Sequence, residues 1–389
     1  MARVRPALLA PRAGPDFAAG DPVIKYIGSK RTLVPLLLEI VRHAGEARCL
    51  LDLFSGTSRV GHAFKAAGYR VLANDHNAYA AVLARCYVQA DADDVLGDAH
   101  RLVREFNALP GKPGYFTETF CRRSRFFQPH NGARIDAIRE AIAAKSLDPE
   151  LEAVLLVSLM EAADRVDSTT GLQMAYLKTW SPRSYKDLEL RLPAVLPRAL
   201  HGKGVGLNLD ALEAAARFEA DVVYVDPPYN QHSYLANYHV WETLVRWDRP
   251  EVYGVACKRS DVRVRHSVFN SRPSAREALR QLLVRVRAPL ILLSFNDEGF
   301  LGREALEFEL GALWQGAARV AVLEIDFPRY VGARIGIHNP HGEKVGTIGR
   351  VRNKEFVYIV SRDDLSEALA RAAEARPWPF PLRRVRSGE

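Results

Sequence analysis

The sequence of 389 residues predicts an α/β fold in which a parallel sheet is interrupted by a mainly helical insertion. Short apolar runs typical of strands alternate with helical stretches in both halves of the chain, and the stretch from about 90 to 205 between them is mainly helical. Strands that alternate with helices form a parallel sheet with right-handed crossovers. A chain of this length holds one large α/β domain with an insertion, or two domains.

Composition restricts the partner and the compartment. The formal net charge of +8 at pH 7 fits either a polyanionic partner or simply a basic enzyme. No apolar run approaches the roughly 18 residues of a membrane helix, so we expect no membrane association. The four cysteines have no paired spacing, which argues against a disulfide framework and a zinc site and is typical of the cytoplasm. Residues 1–20 are rich in Ala, Pro, Gly and Arg and are predicted to be a disordered leader.

The first predicted element is a β-turn-α-β unit. An apolar run at 48–54 enters a turn at 55–57, and a second strand at 69–73 ends at Asn74-Asp75. In an open α/β sheet, ligands bind outside the carboxyl ends of the strands, where this turn lies. Gly56 lets the backbone approach a ligand closely. Asp75 is then placed to bind a ribose diol, although an ordinary turn aspartate also explains it.

The acid before this turn indicates the kind of ligand. Asp52 stands where a pyrophosphate would require the opposite charge, and the pattern Gly-x-Gly-x-x-Gly is absent. A ligand with a positive amino group suits Asp52 better, and S-adenosylmethionine combines such a group with a sulfonium and a ribose. A third acid, Asp210, follows the strand-like run 205–209. It either accepts from the cofactor's adenine amine or caps the helix at 211–216, and one carboxylate can do both.

The insertion predicts a contact surface. It has helical patterns at 133–144 and 151–163 and a basic-aromatic patch from Phe116 to Phe127, with Arg122, Arg123 and Arg125. A second basic stretch, 329–352, contains Tyr330, Arg334, His338, Lys344 and Arg350. Each stretch either meets phosphates or base edges, or is a solvated basic face.

The strand predicted at 222–225 ends in a rigid polar tip, Asp226-Pro227-Pro228-Tyr229. Proline fixes φ and has no backbone N–H, so this loop is stiff and its carbonyls stay free. Asp226 and those carbonyls can accept hydrogen bonds from an exocyclic amine, while Tyr229 offers a face for stacking. The loop is therefore suited to a planar amino-heterocycle whose nitrogen faces an electrophile, with a Pro-rich turn as the alternative.

The residues after this loop allow two interpretations. His232, His239 and Trp241 either line a base pocket or belong to a helix whose packing face includes Tyr238 and Leu244. Further strands are predicted at 290–294, 320–325 and 355–360, so the sheet continues towards the C-terminus.

These motifs together resemble the alpha group of DNA adenine-N6 methyltransferases, the Dam-like family with the Asp-Pro-Pro-Tyr motif. The resemblance lies in Lys25-Tyr26-Ile27-Gly28-Ser29-Lys30, the run 52–56, Asn74-Asp75 and the tetrapeptide at 226–229, in that order. The insertion adds a match over 127–139 and at 175–178, and the segment 294–299 a further one. Two departures are the run 167–172, which suggests a different sequence preference, and Phe295, which replaces a tyrosine.

The resemblance implies a Rossmann-like, S-adenosylmethionine-dependent catalytic domain (21–90 and 205–365), an inserted target-recognition domain (91–204) and a C-terminal tail (366–389). The implied reaction is methyl transfer to N6 of a flipped adenine in double-stranded DNA, in a restriction-modification or epigenetic setting. The implied catalytic residues are Asp226, Pro227, Pro228 and Tyr229. The implied cofactor-binding residues are Tyr26, Lys30, Asp52, Phe54, Gly56, Asp75 and Asp210. The implied DNA contacts are Lys25, Arg122, Arg123, Arg125 and Lys178, and no metal is expected.

Alternatives from other classes stay open at this point. Similar catalytic loops occur in enzymes that methylate RNA bases, although such enzymes need no insertion of this size. A catalytically silent DNA-binding relative would keep the fold, but the intact Asp226, Tyr229, Gly56 and Asp75 argue against it. The recognition sequence, a cognate restriction endonuclease and the oligomeric state do not follow from the sequence.

Overall fold

The computed structural model describes residues 24–328, 352–375, 378 and 381–385. The predicted leader at 1–20 therefore lies outside the described residues, as does the basic stretch 329–352 except for the backbone of Arg352. Much of the predicted C-terminal tail is described, and it contains a helix, Ser366–Glu374, and a strand, Leu382–Val385.

The core of the fold is an eight-stranded mixed sheet with the order β10-β8-β9-β7-β4-β1-β2-β3. Its strands are β1 (Cys49–Asp52), β2 (Arg70–Asn74), β3 (Val205–Leu207), β4 (Val222–Val225), β7 (Leu290–Asn296), β8 (Arg319–Pro328), β9 (Arg352–Ser361) and β10 (Leu382–Val385). A separate antiparallel pair consists of β5 (Val252–Tyr253) and β6 (Lys258–Arg259). The strands predicted from the sequence are all present: those predicted at 290–294, 320–325 and 355–360 are longer than predicted, and those at 48–54 and 205–209 are shorter.

One expectation about the sheet was wrong. Strands β3, β2, β1, β4 and β7 are parallel, as predicted, but β9 is antiparallel to both β7 and β8, and β10 is antiparallel to β8. A parallel neighbour requires a crossover connection, whereas consecutive strands can pair antiparallel without one. These two strands instead pair antiparallel over their whole length.

Both faces of the sheet are covered by helices, which explains why its strands are continuous apolar runs. Successive residues of a strand point to opposite faces. Leu50 and Val222 thus pack with helices on one side, and Leu51 and Val223 with helices on the other. The first side carries α1 (Val34–Ala44), α2 (Arg59–Ala66) and α14 (Ser366–Glu374), and the second carries α8 (Ala211–Arg217), α11 (Arg272–Arg285) and α12 (Arg303–Gly311). The α/β Rossmann-like architecture is confirmed.

The inserted segment is helical in its first part and irregular in its second. Its helices are α4 (Ala92–Asn107), α5 (Tyr115–Thr117), α6 (Pro129–Ala144) and α7 (Pro149–Arg165), with a π-helical turn at Glu118–Arg122. From 166 to 204 the described structure contains a single short 3-10 helix, Pro182–Tyr185. Among the described helices, none is long and apolar enough to cross a membrane.

The insertion shares a hydrophobic core with the sheet-bearing part of the chain. Its buried phenylalanines and leucines pack with Tyr79 and Leu83 of α3 (Ala78–Ala84) and with Trp241 and Leu244 of α10 (His239–Arg246). The remaining helices are α9 (Tyr234–Asn237), α13 (Leu313–Gly316), a π-helical turn at Arg85–Gln89 and 3-10 helices at Lys30–Thr32, Ser260–Arg263 and Val268–Asn270. The domain limits given above stay a prediction.

Candidate active site

The candidate site lies where the strand order changes direction, between β1 and β4. From β1 the chain proceeds outward to β2 and β3 on one side, and β4 and β7 follow on the other side. Such a switch point opens a crevice at the carboxyl ends of the strands. The residues that line this pocket come from the N-terminal segment, the tips of β1, β2 and β4, the starts of α2 and α8, and the segments 233–235 and 265–270.

Asp52, at the tip of β1, is a buried carboxylate that has no counter-ion among the described residues. It is 1% exposed, and neither oxygen makes a hydrogen bond within the described residues. Burial raises its pKa well above the usual value, and the negative charges of Asp226 and Asp75 add to this, outweighing the nearby Phe54 amide. Burying an acceptor without a partner is costly, so a cationic group that enters the pocket gains a strong partner.

The turn after β1 requires the backbone freedom of glycine. Gly56 has φ = +50°, and a Cβ at this position would lie 3.4 Å from the ring of Tyr26. The Gly56 amide donates to Asp75 Oδ2 at 3.0 Å, while Asp75 Oδ1 accepts from the Asn77 amide at 2.9 Å. Burial raises the pKa of Asp75, and these hydrogen bonds oppose the rise. Oδ1 also accepts from Asn77 Nδ2 at 3.2 Å, so the second lone pair of Oδ2 is the one left to accept from a ribose hydroxyl.

Asp210 and Phe54 form the outer part of the same pocket. Asp210 caps α8, because its Oδ1 accepts from the Leu212 amide at 2.8 Å. The helix-cap explanation of this residue therefore describes the structure, and the contact with a cofactor adenine stays a prediction. The ring of Phe54 meets the edge of Phe269 at 5.2 Å between centroids. This aromatic wall was not predicted from the sequence.

The tetrapeptide follows β4 directly and faces the pocket through Asp226 and Pro228. Burial raises the pKa of Asp226 to about 6, against the lowering effect of Lys30. The Tyr229 carbonyl accepts from the Phe300 amide at 2.8 Å, and its ring lies 5.8 Å from Phe295. The loop is thus fixed at both ends, by β4 and by the segment that follows β7.

Lys30 lies at Asp226 rather than beside Asp52 or Asp75. Its Nζ is 3.2 Å from Asp226 Oδ1 and 2.5 Å from Glu355 Oε1. We predicted Lys30 as a cofactor contact; it does line the pocket, but in this structure its charge is taken by two carboxylates. Glu355 was missed because it stands 325 residues away on β9 and belongs to no local motif.

Tyr26 lies in a stack of tyrosines at the edge of the pocket. Its ring is parallel to Tyr238 at 4.5 Å and to Tyr234 at 5.3 Å, and its hydroxyl is 3.3 Å from that of Tyr79. Tyr26 and Tyr234 both line the pocket. Tyr234 was missed, although its position five residues after the tetrapeptide's last residue was the available signal.

His239 and Trp241 do not line a base pocket, whereas the exposed His232 lies outside α10 and its role stays a prediction. His239 and Trp241 are buried in the core that the insertion shares with α10, as are Tyr238 and Leu244. The His239 ring contacts the Gln173 carbonyl at 2.9 Å, and burial lowers its pKa to about 3. The packing-face interpretation is therefore correct for α10.

The predicted DNA contacts fall into two groups. Lys25 is ion-paired with Asp164 at 2.9 Å and with Asp167 at 3.3 Å, so its charge is already shared inside the protein. Arg123 and Lys178 are exposed, and Arg122 is exposed but paired with Glu118 at 3.2 Å. The guanidinium of Arg125 lies over the Trp180 ring at 4.7 Å. Contact of any of these residues with DNA stays a prediction.

The aromatic side chains of the predicted basic-aromatic patch are not available for stacking. Phe116, Phe120, Phe126 and Phe127 are at most 1% exposed and belong to the core of the insertion. The patch is therefore a set of exposed cations carried on a hydrophobic layer, because the phenylalanines and arginines point in opposite directions from one short segment.

The sequence of this chain matches one protein-family model and several known proteins. A family model described as D12 class N6 adenine-specific DNA methyltransferase matches residues 26–289. The chain is 30% identical to modification methylase StsI of Streptococcus sanguinis over 299 residues, 73% of this chain and 45% of the relative. It is 30% identical to type II methyltransferase M.FokI of Planomicrobium okeanokoites over 303 residues, 73% and 46% of the two chains. It is 31% identical to type II methyltransferase M.NlaIII of Neisseria lactamica over 290 residues, 72% and 85%. The chain thus spans about half the length of the first two relatives.

Proposed function

The chain belongs to the D12 class N6 adenine-specific DNA methyltransferases, and from this premise we propose that it transfers a methyl group from S-adenosylmethionine to N6 of adenine at specific sites in duplex DNA. One observation carries the proposal: the carboxylate of Asp52, which accepts no hydrogen bond from the described part of the chain, and the loop that begins at Asp226 line the same pocket. The first suits a cationic ligand, and the second suits an aromatic amine. Their proximity is what transfer between the two requires.

The polar and aromatic groups that line the pocket match the functional groups of S-adenosylmethionine. Asp52 has two free acceptor oxygens for the cofactor's ammonium group. Asp75 would accept from the ribose hydroxyls, and the close approach allowed by Gly56 would bring the backbone against the ligand. Phe54 and Phe269 would enclose the adenine, with Asp210 at its rim. The residues therefore support this cofactor without requiring a change in the turn.

When bound, S-adenosylmethionine would supply a methyl group on a sulfonium; its transfer to the adenine N6 would leave a neutral thioether on the cofactor product and release one proton from N6. Asp226 and the Pro227 carbonyl would accept hydrogen bonds from the amino group and direct its lone pair. An adenine must leave the duplex to reach this loop, at a cost of a few kcal/mol. Stacking on Tyr229 would return about 1–3 kcal/mol.

The proposal extends to the setting of the enzyme. The relatives are named modification methylases and type II methyltransferases, which supports a role in restriction-modification with a cognate restriction endonuclease as partner. Duplex DNA would meet the exposed cations Arg122, Arg123 and Lys178 of the insertion. These contacts position the duplex by its phosphates, which carry no sequence information themselves.

A transfer assay tests the function. The purified chain is incubated with methyl-labelled S-adenosylmethionine and either plasmid DNA or total RNA, and the labelled nucleoside is identified. We expect N6-methyladenine in DNA, with loss of transfer in Asp226→Ala and wild-type transfer in the control Asp363→Ala, an exposed aspartate just beyond β9. Label confined to RNA, or equal transfer by Asp226→Ala, would contradict the proposal.

A further inference from the structure

A buried charge triad connects the catalytic loop to a strand that no motif marked. Lys30 is 9% exposed and contacts two carboxylates, Asp226 and Glu355, whose side chains are 17% and 9% exposed. Lys30 comes from the N-terminal 3-10 helix, and Glu355 comes from β9, where it pairs in register with Asn296 of β7. Three separate parts of the chain thus place their charges at one point.

The two carboxylates do not share the lysine equally. The Nζ of Lys30 lies 2.5 Å from Glu355 Oε1 and 3.2 Å from Asp226 Oδ1. The hydrogen bond from Lys30 to Glu355 is the shorter of the two contacts, so the ammonium is directed mainly at β9. Burial lowers the pKa of Lys30, but Asp226 and Glu355 together raise it well above its usual value, so it stays charged.

The unequal sharing of Lys30 between Glu355 and Asp226 matters because of the role proposed for Asp226. In the proposed reaction the carboxylate must accept a hydrogen bond from the adenine amino group, whereas a buried lysine with no other partner would bind it tightly. We infer that Glu355 is a positioning residue for methyl transfer: it takes Lys30 as its main partner and so keeps the Asp226 carboxylate available to the substrate amine. This inference rests on the proposed function, and it assigns Glu355 a role through Lys30 rather than contact with substrate.

The effect of Glu355 on the charge of Asp226 has a definite sign. Lys30 lowers the pKa of Asp226, and Glu355 raises it. The charged and titratable groups around this carboxylate are Lys30, Glu355, Asp52, Tyr224, Tyr229 and Tyr234. In Glu355→Gln the raising charge is lost and Lys30 is left with Asp226 alone. Both changes lower the pKa of Asp226.

The test compares Glu355→Gln with Glu324→Gln as a matched control. Glu324 lies on the neighbouring strand β8, and its ion pair is with Lys354 at 2.9 Å rather than with Lys30. Single-turnover methyl transfer to duplex DNA is measured from pH 5 to pH 9, together with the affinity for S-adenosylmethionine. For Glu355→Gln we expect a plateau rate reduced about tenfold or more, an acid limb at lower pH and little change in cofactor affinity. The control should follow the wild type.

Two further variants separate positioning from a merely structural role. Adding Lys30→Met to Glu355→Gln removes the cation that would occupy Asp226, so the double variant should transfer faster than Glu355→Gln alone at pH 8. Such a reversal is not expected of two independent losses. Glu355→Asp keeps the charge but withdraws it from Lys30, so the acid limb of its pH–rate profile should also move to lower pH, by less than in Glu355→Gln. This variant can replace Glu355→Gln in the test if the glutamine variant does not fold.

The outcomes separate this inference from the proposed function. If the wild type methylates adenine N6 and Glu355→Gln has an unchanged or raised acid limb, only the inference fails. If the wild type methylates no nucleic acid, the proposed function fails, and the carboxyl titration of Asp226 by 13C NMR still decides the inference. There, a lower titration midpoint in Glu355→Gln supports it, and an equal or higher midpoint overturns it.

Discussion

Two aspartates in one pocket differ in their neighbours, and this difference assigns them different tasks. Asp52 has no cation beside it and no hydrogen-bond partner within the described residues. Asp226 has Lys30 at 3.2 Å and is more exposed. A carboxylate with no partner is suited to a ligand that brings its own positive charge, whereas a carboxylate with a fixed counter-ion stays charged and is suited to a neutral amine.

We predict that Asp52→Asn weakens the binding of S-adenosylmethionine and stabilises the folded state. A hydrogen bond to a charged group contributes about 1.5–3 kcal/mol, so the dissociation constant of S-adenosylmethionine should rise about 10-fold to 100-fold. The raised pKa of Asp52 means that the folded state loses stability as pH rises through that pKa, and asparagine removes this loss. Isothermal titration and thermal unfolding at pH 8 check both effects. An unchanged affinity, or a lower melting temperature in the variant, would contradict the assignment.

At the scale of elements, one short segment contacts both halves of the site. In the 3-10 helix Val268–Asn270, Phe269 meets Phe54 of the cofactor turn edge-on. The Asn270 side chain donates to the Asn230 carbonyl at 2.7 Å and to the His232 carbonyl at 3.1 Å, directly after the tetrapeptide. The segment therefore links the wall of the proposed cofactor pocket to the proposed catalytic loop.

We predict that Asn270→Leu slows transfer more than it weakens binding. The leucine has similar size but cannot donate to the two carbonyls, so the loop that carries Asp226 loses its support on this side. Single-turnover transfer should fall about tenfold with cofactor affinity nearly unchanged. The control is Ser274→Ala, which removes a hydrogen bond to the Val268 carbonyl of the same helix but none to the catalytic loop. Equal losses in both variants would indicate a general loosening of the segment instead.

The elements of the site that the sequence predicted are those built from neighbouring residues. The turn at Gly56, the acid at Asp75 and the tetrapeptide at 226–229 each stand at the end of a strand, where an apolar run and a polar tip are visible together. The partners Glu355 and Phe269 were missed because they are brought to the site only by the order of the strands and by loop packing. The antiparallel direction of β9 is itself such a feature, since no local pattern specifies a strand's neighbour.

At the scale of the whole molecule, three acids gather in one pocket, where Lys30 pairs with one of them, although the chain as a whole is basic. The chain carries a net charge of +8, yet the tips of β1, β2 and β4 bring Asp52, Asp75 and Asp226 to one pocket. Exposed arginines and lysines of the insertion lie on a different part of the chain. This distribution of charge suits an enzyme with two ligands of opposite charge, because a cationic cofactor and an anionic duplex would be attracted to different surfaces.

The exposed cations lead to a prediction about salt. Arg123 and Lys178 are both exposed on the insertion. If each meets one phosphate, Arg123→Ala and Lys178→Ala should each weaken duplex binding for all sequences alike. Each should also reduce the slope of log affinity against log salt by about one. Fluorescence anisotropy with cognate and unrelated duplexes over a salt series measures both the affinity and this slope.

The control Arg280→Ala removes an exposed arginine of α11 that is paired with Glu277 at 2.7 Å, and its slope should equal that of the wild type. A change in affinity confined to one sequence would instead place the altered residue at a base edge, since phosphate contacts do not distinguish sequences.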